Sequence, residues 1–337
     1  MRIRLGRLLA AVCALSLSFA TGWSAGRAQA ISGHGTPREY LRVSEWAKAN
    51  DFSFQWLKKD EVLQLSKPST SITLNVDSND ADVNGIAMRL CFPVAYREGT
   101  AFLSQTDAQE TLRPLLNPPR NKPGVVVKNI CLDPGHGGSD PGNGVGARVE
   151  KKYTLLLANE LREQLTRAGF KVTLTRTRDV NVELGLRPEI ASRRSADLFV
   201  SLHFNSAPSS ASTVRGAEVY CMTPPGAPSS NARGEGASAG WFPGNRNNEK
   251  NVMLAYLLQK SLTRGLGMED RGVHRARFAV LREATMPAVL IEGGFMSHPV
   301  EGRNIADPAY RRQMARSILD GIVAYKRQVE GPRPASR

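Results

Sequence analysis

The 337-residue chain has no run of about 20 apolar residues, the length a membrane-spanning helix needs. Its most apolar segment, Leu8 to Ala20, is far shorter. No block of five or more basic residues occurs and aromatics do not interleave with the cations, which argues against a nucleic-acid groove. No internal repeat is present. Two hydrolase signatures are missing as well. Without HExxH, metal ligands cannot come from one helix, and without GxSxG there is no nucleophile elbow. Ser201 and His203 lie two apart with no acid placed beside them, so a serine mechanism is weak. Cysteine is sparse. Beyond residue 30 only Cys91, Cys131 and Cys221 remain, an odd number in apolar stretches, which reads as buried free thiols rather than a disulfide framework.

The first 30 residues have a composition of their own. Arg2, Arg4 and Arg7 precede the apolar run, and Ala28-Gln29-Ala30 fits a small-x-small cleavage site, the pattern of a secretory signal peptide over 1–30. Val12 before Cys13 rules out lipidation, because a small residue is needed there. Cleavage removes four of the 45 basic residues, leaving 41 against 31 acidic ones and lowering the formal charge from +14 to +10. In an exported protein that surplus suits an acidic envelope. The expected location is periplasmic or extracellular and associated with the cell wall.

The proline-rich stretch LNPPRNK marks a linker over 117–124. Before it, residues 31–116 read as a small α+β domain. A helical pattern runs from Pro37 to Ala49 with Tyr40, Val43, Trp46 and Ala47 on one face. Ile72, Leu74 and Val76 alternate with polar neighbours, as do Ile86, Met88, Leu90 and Phe92, and Asn84-Gly85 offers the turn of a hairpin pairing the two runs. Thr106 and Gln109 form a capping box opening a short helix that Pro114 ends. From 125 to 330 strand and helix alternate. This implies a three-layer α/β domain whose mixed, largely parallel sheet is covered by helices on both faces. Helices are expected over Glu150 to Ala168, Leu186 to Arg194, Asn251 to Leu266 and from Pro308 on, with 331–337 a flexible tail.

Chemistry concentrates at four points. His136 in DPGHGG, His203 in SLHFN and Glu292 in PAVLIEGGF each end a short apolar run, and Glu150 opens a helix. Side chains just past buried strands meet at one edge of an α/β sheet. Two imidazoles and one carboxylate complete the protein ligand set of a catalytic zinc, with a fourth position open, and the remaining carboxylate can act as base. Each residue alone reads more plainly: His136 as a turn residue, Glu150 as a first-turn helix carboxylate, His203 as a core histidine, Glu292 as a partner of some arginine. Their joint presence carries the zinc reading.

The order of ICLDPGHGGSDPG, Glu150-Lys151, ADLFVSLHFNS, GAEVY and RGVHRARFAVLREATMPAVLIEGGFMSHPVE resembles the zinc-dependent N-acetylmuramoyl-L-alanine amidases of bacterial cell walls, the type 3 amidase family, from Ile130 to about Val323. The resemblance implies Zn2+ held by His136, Glu150 and His203, with Glu292 as the catalytic carboxylate. It implies hydrolysis of the amide between the lactyl group of N-acetylmuramic acid and L-alanine in peptidoglycan. His298 departs from the asparagine usual in that family after Phe-x-Ser. Residues 38–116, through Tyr40-Leu41, Val83-Asn84-Gly85 and Gly99 to Leu103, resemble the copper amine oxidase N-terminal-like domain of envelope proteins. With no histidine in that stretch no copper site is evident, and an interaction or spacer role is expected, with the fragment from Lys122 onward folding by itself.

Asn205, Trp241 and Arg277 are candidate substrate-binding residues. The stretch from Thr223 to Lys250 reads as an inserted surface loop that grips substrate through Trp241, the alternative being a lid that blocks the metal with Glu235 or Glu249. His274 and His298 read as surface or supporting residues, and His34 as part of a disordered amino terminus. The partners expected are peptidoglycan and an envelope activator protein, with no nucleic acid and no transmembrane segment. Two rival functions stand beside the amidase: a zinc peptidase cutting within stem peptides, told apart by its products, and a non-catalytic wall-binding protein of the same fold.

Overall fold

The computed structural model describes residues 29–31, 38–230 and 240–331. The expected leader up to residue 28, His34, Glu235 and residues 332–337 lie outside them. Among the described residues no helix is long and apolar enough to cross a membrane.

Eleven strands form one mixed sheet: β1 (Ser53–Lys58), β2 (Val62–Lys67), β3 (Thr70–Asn75), β4 (Asp80–Val83), β5 (Ile86–Arg89), β6 (Asn129–Pro134), β7 (Lys171–Leu174), β8 (Leu198–Asn205), β9 (Ala217–Met222), β10 (Asp270–Ala276) and β11 (Ala288–Phe295). Their spatial order is β7-β6-β8-β11-β9-β10-β5-β4-β3-β2-β1. The run β7-β6-β8-β11 is parallel, β9 turns antiparallel against β11, and β10 lies parallel to β9. Strands β6, β8 and β11 are buried over nearly their whole length, which explains their continuous apolar sequences. Helices α2 (Glu150–Arg167), α4 (Asn248–Leu266) and α6 (Pro308–Glu330) share one core with one sheet face, while α3 (Leu186–Arg193) and the short helix Ala279–Arg282 cover the other. On α2 the residues Tyr153, Leu157, Leu161 and Leu165 recur every four positions and are all buried. Asp307 caps α6 by accepting from the Ala309 amide at 2.9 Å.

Several local expectations in the first 116 residues need correction. Arg38–Arg42 is a strand, pairing Tyr40 with Ser104 and Arg42 with Phe102, and only Val43–Ala49 is helical (α1). The periodic face was genuine in part, since Val43, Trp46 and Ala47 are buried, but strand pairing overrides helical periodicity before it. The Asn84-Gly85 turn does form, with φ of 55° and 78°, yet it joins β5 to β4, not to β3. The short, polar-rich β4 intervenes and pairs with both. The helical stretch 105–116 is capped by Ser104, whose Oγ accepts from the Asp107 amide at 3.0 Å, rather than by Thr106. Pro114 sits in the first turn of its last segment, where no amide donor is required, and so does not terminate it.

The largest difference concerns the junction. Residues 117–124 have no regular secondary structure, as a linker should, but the units on either side are fused. Val273 of β10 pairs with Met88 of β5, so the amino-terminal strands extend the catalytic sheet. The seam is bonded elsewhere too. Tyr256 donates to the Val83 carbonyl at 3.2 Å, the Ala87 amide donates to Asp270 at 2.9 Å, and Lys250 donates to the Asn121 side chain at 2.6 Å. One apolar cluster includes Trp46, Leu65 and Ile72 from one side and Val252, Tyr256 and Leu258 from the other. The sequence reading of a detachable module does not anticipate this shared core.

Candidate metal centre

The carboxyl ends of β6, β8 and β11 lie side by side, and register aligns their side chains. His203 is opposite Glu292 across the β8–β11 pair, and Glu292 is opposite Glu218 across β11–β9. Beyond β6 the loop carries His136 at φ 60°, a left-handed conformation costly for a non-glycine residue and held here by its surroundings. Two buried arginines supply that restraint. Arg187 donates to the His136 carbonyl at 3.0 Å and to Asp133 at 2.8 Å, and Arg176 donates to the carbonyls of Pro134 and Gly135 at 3.0 and 2.8 Å. Asp133 also accepts from Thr175 at 2.6 Å and from Ser201 at 2.7 Å. Its carboxylate therefore organises the loop from within the sheet.

His136, Glu150 and His203 converge. One ligand atom from each falls within 4.8 Å of the others, a donor set that could hold a metal ion. Glu150 is fully buried at the start of α2, with Oε2 3.0 Å from His136 Nε2 and Oε1 3.0 Å from His203 Nδ1. The Asn143 and Phe204 amides donate to the same carboxylate at 2.8 and 3.0 Å. Burial opposes its charge, but the hydrogen bonds from the two histidines prevail and hold its acid well below the usual carboxylate range. Asp140 lies 2.7 Å from His136 Nδ1, orienting the ring so that Nε2 faces the cluster. Glycine is needed at two places by close approach. A Cβ on Gly135 would lie 2.3 Å from the His203 ring, and one on Gly142 would lie 2.5 Å from the His136 ring.

A cleft of about 270 Å³ opens over the cluster, lined by these three residues, Glu292, Leu184 and Phe278. Glu292 Oε2 is shut off from solvent and has no hydrogen-bond partner among the described residues. Burial, then the charges of Glu150 and Glu218, push its acid well above the usual range. Glu218 is engaged on its other side by Arg271 and accepts from the Tyr220 hydroxyl at 2.6 Å. Tyr220 stacks on His274, with centroids 5.2 Å apart, and His274 Nε2 is 2.8 Å from the Arg271 carbonyl. His274 is thus a supporting residue. His298 caps α5 (Pro299–Ala306), its Nδ1 accepting from the Glu301 amide at 3.3 Å, a task asparagine also performs.

The three candidate substrate-binding residues do not line this cleft. Asn205 folds back to accept from the Ser206 amide at 2.8 Å. Arg277 is buried and donates to the Pro224 carbonyl at 3.4 Å and also to that of Ala227. Trp241 is 55% exposed beneath Arg246, 5.5 Å from its ring centroid. The first described part of the inserted loop packs on the amino-terminal unit, where Ala227 meets Tyr40, Phe92 and Phe102, and Phe242 in its second part packs against the cluster that holds Val280 and Leu290. Glu249 lies in the first turn of α4 and pairs with Arg113, which corrects its reading as a blocking carboxylate. Asp133, Arg176, Arg187 and Glu218 are the functional supports that sequence reasoning missed. Only the motifs around Asp133 and Glu218 signalled them.

The Amidase_3 family model, described as N-acetylmuramoyl-L-alanine amidase, matches residues 130–324. The amidase AmiC of Neisseria meningitidis serogroup B is 35% identical over 218 residues, 58% of this chain and 52% of that protein. AmiA of Escherichia coli K12 is 30% identical over 249 residues, 66% of this chain and 86% of that protein. Among solved structures, the amidase AmiC2 of Nostoc punctiforme matches with a TM-score of 0.50 and 32% identity, covering 60% of this chain and 98% of that one. The chain spans about half the length of the Neisseria relative. With more than half of its own length inside the matched region, the chain belongs to the N-acetylmuramoyl-L-alanine amidase family.

Proposed function

We propose that the chain is an exported zinc amidase that hydrolyses the bond between the lactyl carbonyl of N-acetylmuramic acid and L-alanine in peptidoglycan. The observation that carries it is the Glu292 Oε2 atom, shut off from solvent and without a hydrogen-bond partner among the described residues, in the same cleft as a His-Glu-His donor set. His136, Glu150 and His203 would hold the ion: two imidazoles and a carboxylate suit zinc, and the Glu150 charge offsets part of its own. Bound zinc lowers the pKa of water towards about 7 and polarises a carbonyl.

The chain's own residues do the rest. Glu292 accepts a proton from the attacking water and delivers it to the departing alanine nitrogen. Asp140 fixes the His136 ring, and the Asn143 and Phe204 amides fix Glu150. Asp133, Arg176 and Arg187 keep the His136 loop in its left-handed turn. Residues 31–116 serve as an interaction unit, and an envelope activator acts as partner. Incubation of the protein with purified peptidoglycan, with and without chelator, tests the reading by mass spectrometry of the released ends. New L-alanine amines and intact lactyl carboxylates are expected only without chelator. Cuts inside the stem peptide would instead identify a peptidase.

A further inference from the structure

At the end of the domain opposite the cleft, the loop before β6 and the last turn of α6 enclose a groove of about 850 Å³. Helix α2 spans the distance between the two ends, its 18 residues measuring about 27 Å from Glu150 to Arg167. The groove's rim is cationic. Arg120, Lys122, Lys128 and Lys326 line it, Arg327 lines the adjoining cavity that shares Arg120 and Lys326, and Glu330 is the single carboxylate among the described lining residues. Lys326 is held internally by Glu330 and by the Val127 carbonyl at 2.7 Å; Arg120 is exposed but donates one N–H to the Gln328 carbonyl at 2.5 Å, while Lys122, Lys128 and Arg327 are exposed. Between Lys122 and Lys128 the chain turns at Pro123-Gly124 and presents Val125 and Val126, which are 52% and 50% exposed. Nothing in the proposed reaction uses this end of the molecule.

Two adjacent exposed valines on a turn, flanked by lysines, are unfavourable in water and gain free energy in the interfacial layer of a bilayer, where nearby cations meet lipid phosphates. A soluble polyanion would engage the cations and leave the valines wet. Residues 332–337 carry the cations Arg333 and Arg337 and no acidic side chain, so their side chains do not complement the rim.

We propose that this end docks on an anionic phospholipid surface, with Val125 and Val126 entering the headgroup region and Arg120, Lys122, Lys128 and Arg327 meeting lipid phosphates. Docked this way, the cleft opens away from the bilayer at the far end of α2, towards a substrate layer beyond the membrane. The interaction is peripheral and depends on salt.

The test uses the chain from Gln29 on, which holds every described element and omits the apolar leader. Its co-sedimentation is measured with vesicles of about 30% phosphatidylglycerol in phosphatidylcholine and with phosphatidylcholine alone, at low and high salt. Binding is expected only to the anionic vesicles and should weaken with salt. Lys122→Ala with Lys128→Ala should weaken it by roughly 30-fold, from about 1 kcal/mol per cation near the surface. Val125→Ser with Val126→Ser should weaken it by roughly 10-fold at unchanged charge. Both variants should keep the thermal transition and soluble-substrate turnover of the parent. Equal vesicle binding by parent and both variants overturns the proposal. So does absence of vesicle binding, and so does retention on purified anionic wall polymer that the lysine pair alone controls, which would reassign the groove to a polyanion.

Discussion

The cleft and the seam between β10 and β5 are both places where distant parts of the chain meet, but by different physics. At the cleft, polar side chains converge on a point set by strand ends, and each residue's role depends on angstrom-scale register. At the seam, apolar surface from α4 packs on the amino-terminal strands with a single paired residue in the sheet. A cleft built this way tolerates no substitution at its ligands. A seam spreads its energy over many contacts, so it should fail gradually.

The sharpest test of that contrast is removal of one ligand. His136→Ala or Glu150→Ala is expected to abolish both metal content and hydrolysis, because two donors no longer make a catalytic set. Metal analysis together with mass spectrometry of digested peptidoglycan would check this, and a chelated wild type should behave alike. Retained metal in the Glu150 variant would move the ligand role elsewhere.

Glu292→Gln should keep the metal and slow turnover by about 100-fold or more, the range for loss of a general base. It carries a second signature. In the metal-free protein the folded acid lies above its ordinary value, so folding favours the protonated form. The penalty is absent below the unfolded pKa, near about 4.3, and grows as pH rises through the gap to the folded one. The Gln variant should therefore melt higher than metal-free wild type at pH 7 and match it near pH 4, as read by thermal denaturation at both values.

At the seam, deletion of everything before Lys122 strips five strands from the sheet and uncovers the part of α4 around Tyr256, which bonds the Val83 carbonyl. A fall in melting temperature of roughly 10 °C or more, or self-association on gel filtration, is expected. An unchanged transition in a monomeric fragment would make the units independent after all. Within the seam, Arg275 is 2% exposed and donates to the Met222 carbonyl at 3.2 Å, Thr111 Oγ1 at 3.1 Å and the Glu110 carbonyl at 2.5 Å. Arg275→Met leaves these acceptors unmatched and should cost about 2 to 3 kcal/mol in urea unfolding, with soluble-substrate turnover preserved. The smallest effect belongs to Trp241→Ala. At 55% exposure its loss should change stability by less than about 0.5 kcal/mol and leave turnover of soluble muropeptides intact.

How much of each region could be read in advance follows from the same difference. His136, Glu150 and His203 stood out because strand ends and glycine-rich turns are local patterns, and rare residue types placed on them are informative. The supports did not stand out. Arg176 and Arg187 look like any other arginine until they are seen bonding the carbonyls of Pro134, Gly135 and His136. The apolar spacing of Arg38–Arg42 continues that of α1 and so reads as helix, and only its pairing with Thr100–Ser104 makes it a strand.

The sequence by itself determined the alternating strand and helix order after residue 125, the buried free cysteines and the four residues of the cleft. These depend on periodicity, burial propensity and turn chemistry, all written within about 20 residues. Only the tertiary structure decided that the amino-terminal strands continue the catalytic sheet, that Glu249 pairs with Arg113, and that Arg277 braces a loop instead of facing substrate. Those outcomes rest on which surfaces meet across more than 100 residues, and no local pattern encodes that meeting.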